Sequence, residues 1–254
     1  MNRRDFAGLL AGLSAIASLA AKAQNAQPAG TATSVTCLIH PNMVMMDLVA
    51  PLTVFNLLLA DIRLVAKSSD PVSTELGLPV VPTHTFATAP RQSTVLFVPG
   101  GLAGSVATMQ DQSTLNYLAE AGAQSDWVTS VCTGSLLLAA AGLLDGYRAT
   151  SHWYVKDLLA MAGAEVTDGR VVHDRNRLTG GGVTAGLDFG LSLAAQLADE
   201  NMAKTIQLVL EYDPAPPFNA GTPETAGEEL TSRVLERRNP LIEQARTALS
   251  GRQI

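Results

Sequence analysis

The sequence predicts one doubly wound α/β domain built on a mostly parallel sheet. Three observations carry that expectation. Apolar strand-like segments alternate with helical ones along the chain, the pattern of a parallel sheet covered by helices. The run at residues 94–98, Thr-Val-Leu-Phe-Val, is continuous rather than alternating, as in a strand buried on both faces. Residues 127–136 read as a buried strand that stops at Cys132 and turns at once into an apolar helix.

The first residues stand apart from that fold. Asn2-Arg3-Arg4-Asp5-Phe6 is a paired-arginine start, followed by an apolar run at residues 7–21 and small residues around Ala23. This is the layout of an export leader of the twin-arginine kind, cleaved before Gln24. It places the mature protein in the periplasm, with no stable membrane association once the leader is gone; an uncleaved anchor is the alternative. Residues 24–33 read as a disordered lead, and residues 34–254 as a single domain.

Within the domain, residues 34–39 form a short apolar strand in which Cys37 is core. After His40-Pro41 a helix runs around residues 47–60, and residues 62–67 make a second strand. Val80 and Val81 with Phe86 suggest a small extended pair. Residues 94–98 end in Pro99-Gly100-Gly101, a turn that needs glycine-like backbone freedom. Residues 112–123 are helical, 127–131 form the central strand and 134–143 the helix behind Cys132. Residues 149–151 are extended, and residues 153–162 form a helix stopped by Gly163. Residues 171–174 and 177–179 read as a hairpin, and helices at 184–198 and 200–211 come next. The stretch 214–223 is rich in Pro and Gly and irregular, and a charged helix at 228–249 closes the chain. There is no internal repeat.

Charge and cysteine usage exclude several classes of function. The chain carries a net charge of −6; removing residues 1–23 takes away three cations and one acid and leaves −8. An acidic protein without a basic stripe does not suit nucleic acid or an anionic membrane, so a small molecule is the expected partner. Two cysteines, Cys37 and Cys132, are too few for a disulfide framework and lie in no metal-ligand spacing.

In an open α/β sheet the ligand crevice lies outside the carboxyl ends of the strands. Cys132 sits at such an end, above a helix N-terminus whose free N–H groups favour negative charge. That position predicts a depressed thiol pKa and a reactive thiolate; a plain buried hydrophobe is the other reading. Asp47 reads first as an N-cap and second as an acid facing the thiolate, where the two groups would share a proton. Gly100 and Gly101 are candidates for oxyanion-type N–H donors, or a tight turn and nothing more. Thr133 either donates its hydroxyl beside Cys132 or caps the helix. His152 is a weaker candidate at a neighbouring strand end. Gly180-Gly181-Gly182 lacks the context of a phosphate cradle and reads as close packing of helix on sheet. Leu48, Leu102, Val131 and Trp153 are candidates for pocket walls.

These segments together resemble the ThiJ/PfpI superfamily, and within it the isocyanide (isonitrile) hydratase branch. The residues that carry the likeness include Met46-Asp47-Leu48-Val49-Ala50-Pro51, Val98-Pro99-Gly100-Gly101 and Thr129-Ser130-Val131-Cys132-Thr133-Gly134-Ser135. Arg148-Ala149-Thr150-Ser151-His152-Trp153 and Pro214-Ala215-Pro216-Pro217-Phe218 continue it. The resemblance implies a flavodoxin-like fold that forms a homodimer, a nucleophilic Cys132, and Asp47 as its acid partner, which reverses the cap preference. It implies no metal and no organic cofactor. Peptidase-like members keep a histidine after the cysteine, where this chain has Thr133. The implied reaction adds the Cys132 thiolate and a proton from Asp47 to an isonitrile, and then water, releasing an N-substituted formamide. A glyoxalase or carbonyl-adduct hydrolase using Cys132 and His152, or a redox sensor at Cys132, are the alternatives. The likeness ends near residue 225 and assigns no role to the C-terminal residues beyond it.

Overall fold

The computed structural model describes residues 33–251, so the expected leader at residues 1–23 lies outside the described residues. The described chain opens with β1 (Ser34–Leu38), α1 (Met45–Leu57) and β2 (Asp61–Ala66). A small antiparallel pair, β3 (Val72–Ser73) and β4 (Pro79–Val80), precedes β5 (His84–Thr85). Then come β6 (Ser93–Val98), α2 (Leu102–Thr108), α3 (Gln112–Ala123), β7 (Ser125–Val131) and α4 (Gly134–Ala140). β8 (Arg148–Ala149) is followed by a 3-10 helix (Lys156–Ala162) and β9 (Glu165–Val166). The hairpin of β10 (Val171–Asp174) and β11 (Arg177–Gly180) leads into α5 (Ala185–Leu197), α6 (Glu200–Val209), the single turn α7 (Pro223–Ala226) and α8 (Glu228–Ser250).

Seven strands share one sheet in the order β10-β11-β7-β6-β1-β2-β5. Every pairing in it is parallel except β10 with β11. This is the doubly wound sheet expected from the sequence. The middle place belongs to β6, however, and β7 lies beside it rather than at the centre.

Each central strand feeds both layers because successive side chains point to opposite faces. Leu96 and Val98 of β6 join Leu118, Leu137 and Leu159 on the face covered by α2, α3, α4 and α8. Val95 and Phe97 of the same strand join Phe55 and Phe189 beneath α1 and α5. The three rings of that second layer, Phe55, Phe97 and Phe189, are fully buried and lie 5.5–6.3 Å apart. Cys37 belongs to this core, as expected. Gly180 keeps α5 close to the sheet: a Cβ there would meet the Cβ of Phe189 at 3.2 Å.

Three local differences have physical reasons. α2 was not foreseen, because Gly104, Val106 and Thr108 are weak helix formers; burial of Leu102 and Val106 against the core holds it. The expected helix at 153–162 begins with a turn in which the N–H groups of Val155 and Lys156 both bond to the His152 carbonyl. It then tightens to 3-10 geometry and ends, as expected, at Gly163 in the left-handed conformation. The extended pair expected from Val80, Val81 and Phe86 is divided. β4 pairs with β3 across a turn at Gly77 (φ 75°), while β5 joins the main sheet on β2.

Phe189→Ala removes a ring that both β6 and α1 pack against. It is expected to cost about 3–5 kcal/mol and lower Tm by roughly 6–20 °C in a thermal melt; a change under about 2 °C would contradict this role of the aromatic layer.

Candidate active site

Cys132 follows β7 directly and takes φ = 58°, a conformation that β-carbon residues disfavour. Such strain costs about 1–3 kcal/mol and persists only where neighbours over-determine it. Here the Cys132 N–H is shared between the carbonyls of Gly180 (3.0 Å) and Gly181 (2.9 Å). Its own carbonyl accepts from Ser135 Oγ (3.1 Å) and Ser151 Oγ (2.9 Å). The elbow is thus clamped from β11, from α4 and from the segment after β8.

Asp47 lies in the first turn of α1 but does not cap it. The helix begins at Met45, with Val44 at the N-cap, and the carboxylate that reaches the Met45 N–H is that of Glu75, at 2.8 Å. The Asp47 side chain turns inward and is fully buried. Its Oδ2 accepts the Gly100 N–H at 3.2 Å, while Oδ1 has no hydrogen-bond partner among the described residues. Gly100 is where the acid and the elbow close on one another: a Cβ there would lie 2.8 Å from both Asp47 Oδ2 and Cys132 Cβ.

Protonation follows from that enclosure. Burial pushes the Asp47 carboxyl up to about 7. The Cys132 thiol and the Gly100 N–H favour its charged form, and the negative Glu75 works against it. Cys132 is itself only 2 % exposed. Burial first, and the neighbouring Asp47 charge second, drive its thiol upward, while the N–H groups of Thr133 and Val183 favour the thiolate. The expectation of a depressed thiol is therefore overturned. The seven-residue helix α4 does not offset desolvation and an adjacent acid. Two such groups in one dry site cannot both be charged, so the pair retains a proton between them.

Thr133 and the two glycines also take roles other than those expected. Thr133 precedes α4 without capping it; its Oγ1 accepts the Gly101 N–H at 2.8 Å and lies 2.9 Å from Ser105 Oγ. The N–H groups of Gly100 and Gly101 are thus committed to Asp47 and Thr133 and do not form a free oxyanion pair. They hold the acid and the hydroxyl in place instead. Ser105 and Glu75 escaped the sequence reading, since each reaches the site from a distant loop or helix with no motif around it.

A cavity of about 380 Å³ opens above Cys132. Leu102, His152, Trp153 and Tyr154 wall it, and α8 closes the far side with Leu230, Val234 and Arg238. Leu102 and Trp153 are therefore at the pocket, as anticipated, whereas Leu48 and Val131 are core residues. Burial, with the Arg238 charge adding to it, lowers His152 to about 4, so its ring is neutral at physiological pH. The His152 ring rests on Tyr154, with centroids 3.7 Å apart. Among the described residues no group of three or more His, Cys, Asp or Glu is gathered closely enough to hold a metal ion, and no helix is long and apolar enough to cross a membrane.

Comparison with known proteins supplies the relatives of this chain. Residues 33–196 match the model of the DJ-1/PfpI family. Isonitrile hydratase of Pseudomonas putida is 44% identical over 216 residues, which is 85% of this chain and 93% of that protein. Among solved structures, a ThiJ/PfpI family protein from Pseudomonas syringae is 50% identical with a TM-score of 0.85, covering 90% of this chain and 94% of its own. DJ-1beta of Drosophila melanogaster, at 22% identity and a TM-score of 0.66, covers 72% of this chain and shares the fold.

Asp47 gives the fold a characteristic pH dependence. Its folded pKa of about 7 lies above the ordinary 3.8, so the folded state holds a proton that the unfolded chain releases. Stability from this group is full below about pH 4 and is lost as pH rises to about 7. Asp47→Asn is expected to exceed the parent by about 2–4 kcal/mol at about pH 8 and by much less at about pH 4.5, measured by denaturant unfolding. An equal gain at both pH values would contradict the raised carboxyl.

Proposed function

The chain belongs to the DJ-1/PfpI family, and we propose that it is an enzyme of the hydratase–lyase type that converts isonitriles into N-substituted formamides at Cys132. The observation that carries this reading is the buried, half-partnered Asp47 carboxyl beside Cys132 at the floor of a largely apolar cavity. The 44% identity to an isonitrile hydratase supports the substrate class.

The chemistry follows from one proton held by two groups. The Cys132 sulfur attacks the terminal carbon of R–N≡C, and the proton held with Asp47 is delivered to that same carbon. The product is a thioimidate, R–N=CH–S–Cys132, and Asp47 is left as a carboxylate. Asp47 then takes a proton from water as the oxygen adds to the carbon, and the nitrogen is protonated as the C–S bond breaks. R–NH–CHO departs, and the proton returns to the Asp47–Cys132 pair, so the sum is isonitrile plus water. A group that gives and then takes a proton works best with a pKa near the operating pH, which burial supplies here. No oxyanion develops in the thiol addition, so the lack of a free N–H pair at Gly100 and Gly101 suits this reaction better than acyl transfer, which needs one. Thr133, held by Gly101 and Ser105, orients the water or the sulfur.

The sensor alternative asks for a standing thiolate, whereas the thiol here is driven upward and shares a proton with Asp47, which hydration consumes and oxidation does not need. The carbonyl-adduct alternative uses His152 as base, and a ring lowered to about 4 is a weak one. Arg3, Arg4 and the apolar stretch behind them support export to the periplasm, and the family likeness supports a homodimer.

Cyclohexyl isonitrile turnover, followed as formamide by NMR on the protein starting at Gln24, tests the reading. Cys132→Ala and Asp47→Asn are each expected to lose about 10²–10⁴-fold in kcat/KM, and Thr133→Val about tenfold. Turnover that survives in either of the first two variants, or none in the parent, would overturn it.

Because the thiol titrates well above Asp47, ionisation of Asp47 leaves the pair with the single proton the reaction uses, so kcat/KM should rise as pH rises through about 7. Glu75→Gln removes a charge that raises Asp47 and should move that limb to lower pH. A limb that stays in place would exclude Glu75 from tuning the acid.

A further inference from the structure

The cavity over Cys132 has an uneven chemistry. Beside the sulfur its walls are apolar, with Val44, Leu102 and Val183. No Asp or Glu side chain lines it among the described residues, and its charged member is Arg238, carried on α8. Arg238 makes no ion pair among the described residues. The adjoining cavity provides the contrast: its cations, Lys156 and Arg170, are matched by Asp168 and Asp188. In a chain of net charge −6, an exposed guanidinium left unmatched on the α8 wall of the reactive cavity stands out. Its field reaches inward far enough to act on both His152 and Tyr154. The neutral His152 ring does not compete with it as a cation.

Resting on the hydratase reading, we infer that the cavity selects isonitriles whose substituent carries an anionic group, a carboxylate above all, and that Arg238 is the residue that binds it. The geometry sorts the two ends of such a molecule. The isonitrile carbon meets the buried sulfur among apolar side chains, and the carboxylate stays at the exposed α8 wall, where a guanidinium offers a planar two-pronged contact. The anion is thereby kept away from Asp47, whose charge would rise in energy beside a second carboxylate. α8, which carries Arg238, is anchored further along by Ile242, Ala245 and Leu249, which are built into the core.

The test compares 3-isocyanopropanoate with n-butyl isonitrile, a neutral molecule of similar length, on the whole protein. The parent should favour the anionic substrate by about tenfold or more in kcat/KM, chiefly through KM, and the preference should shrink with added salt. Arg238→Met should reduce the ratio of the two kcat/KM values about tenfold or more, and Arg238→Lys should restore part of it. Turnover of n-butyl isonitrile with no preference for the anion, or a preference unchanged in Arg238→Met, overturns the inference and leaves the hydratase reading standing. Turnover of neither compound overturns both.

Discussion

A carboxyl and a thiol packed together and shut off from water must share their charge, and much of this fold serves to keep Asp47 and Cys132 in that relation. Neither group would choose the position. Burial raises both, and the Asp47 charge drives the thiol up further, while the thiol's hydrogen bond favours the ionised acid. The partners that hold them come from separate elements: Gly100 from the end of β6, Thr133 from the start of α4, and Val183 from the turn before α5. Stability given up at one site for a chemical purpose is the usual compromise of an active site. The α/β layers supply the margin, with an aromatic layer on one face and a leucine-rich layer on the other.

The elbow adds a second constraint. A non-glycine residue in the left-handed conformation turns the chain sharply enough to point the sulfur out of the sheet, and hydrogen bonds from three directions hold it there. Glycine at 100 is required on steric grounds, since any side chain would wedge the acid from the sulfur. The C-terminal helix then completes the site from above. It is part of the pocket wall and of the core at once, which joins substrate contact to the packing of the leucine layer.

Much of the sheet and its helices was legible because its signals are local. Continuous apolar runs located β1, β2, β6 and β7, and α3 lies at residues 112–123 as expected. Cys132 was legible for the same reason, as the point where a strand pattern meets a helix pattern. The features that stayed hidden depend on contacts across the chain. From its own neighbours Asp47 reads first as a cap, and only the family resemblance turned it toward Cys132; the partner that holds it inward, Gly100, is 53 residues away. The thiol pKa was misread because a helix N-terminus can be seen in sequence, whereas total burial beside an acid cannot. Gly100 and Gly101 were seen as donors, but not that Asp47 and Thr133 would accept from them. α8 was foreseen as a helix, yet nothing in its charged pattern indicated that Arg238 would face the cavity of Cys132.

The most direct test of the central claim is to catch the covalent intermediate. The protein is mixed with excess cyclohexyl isonitrile, quenched in acid within milliseconds to seconds, and digested for peptide mass. Covalent catalysis at Cys132 predicts a mass increase of one isonitrile on the peptide containing that residue, formed and lost at rates compatible with turnover. Formamide production with no adduct at any quench time, or an adduct confined to Cys37, would contradict it.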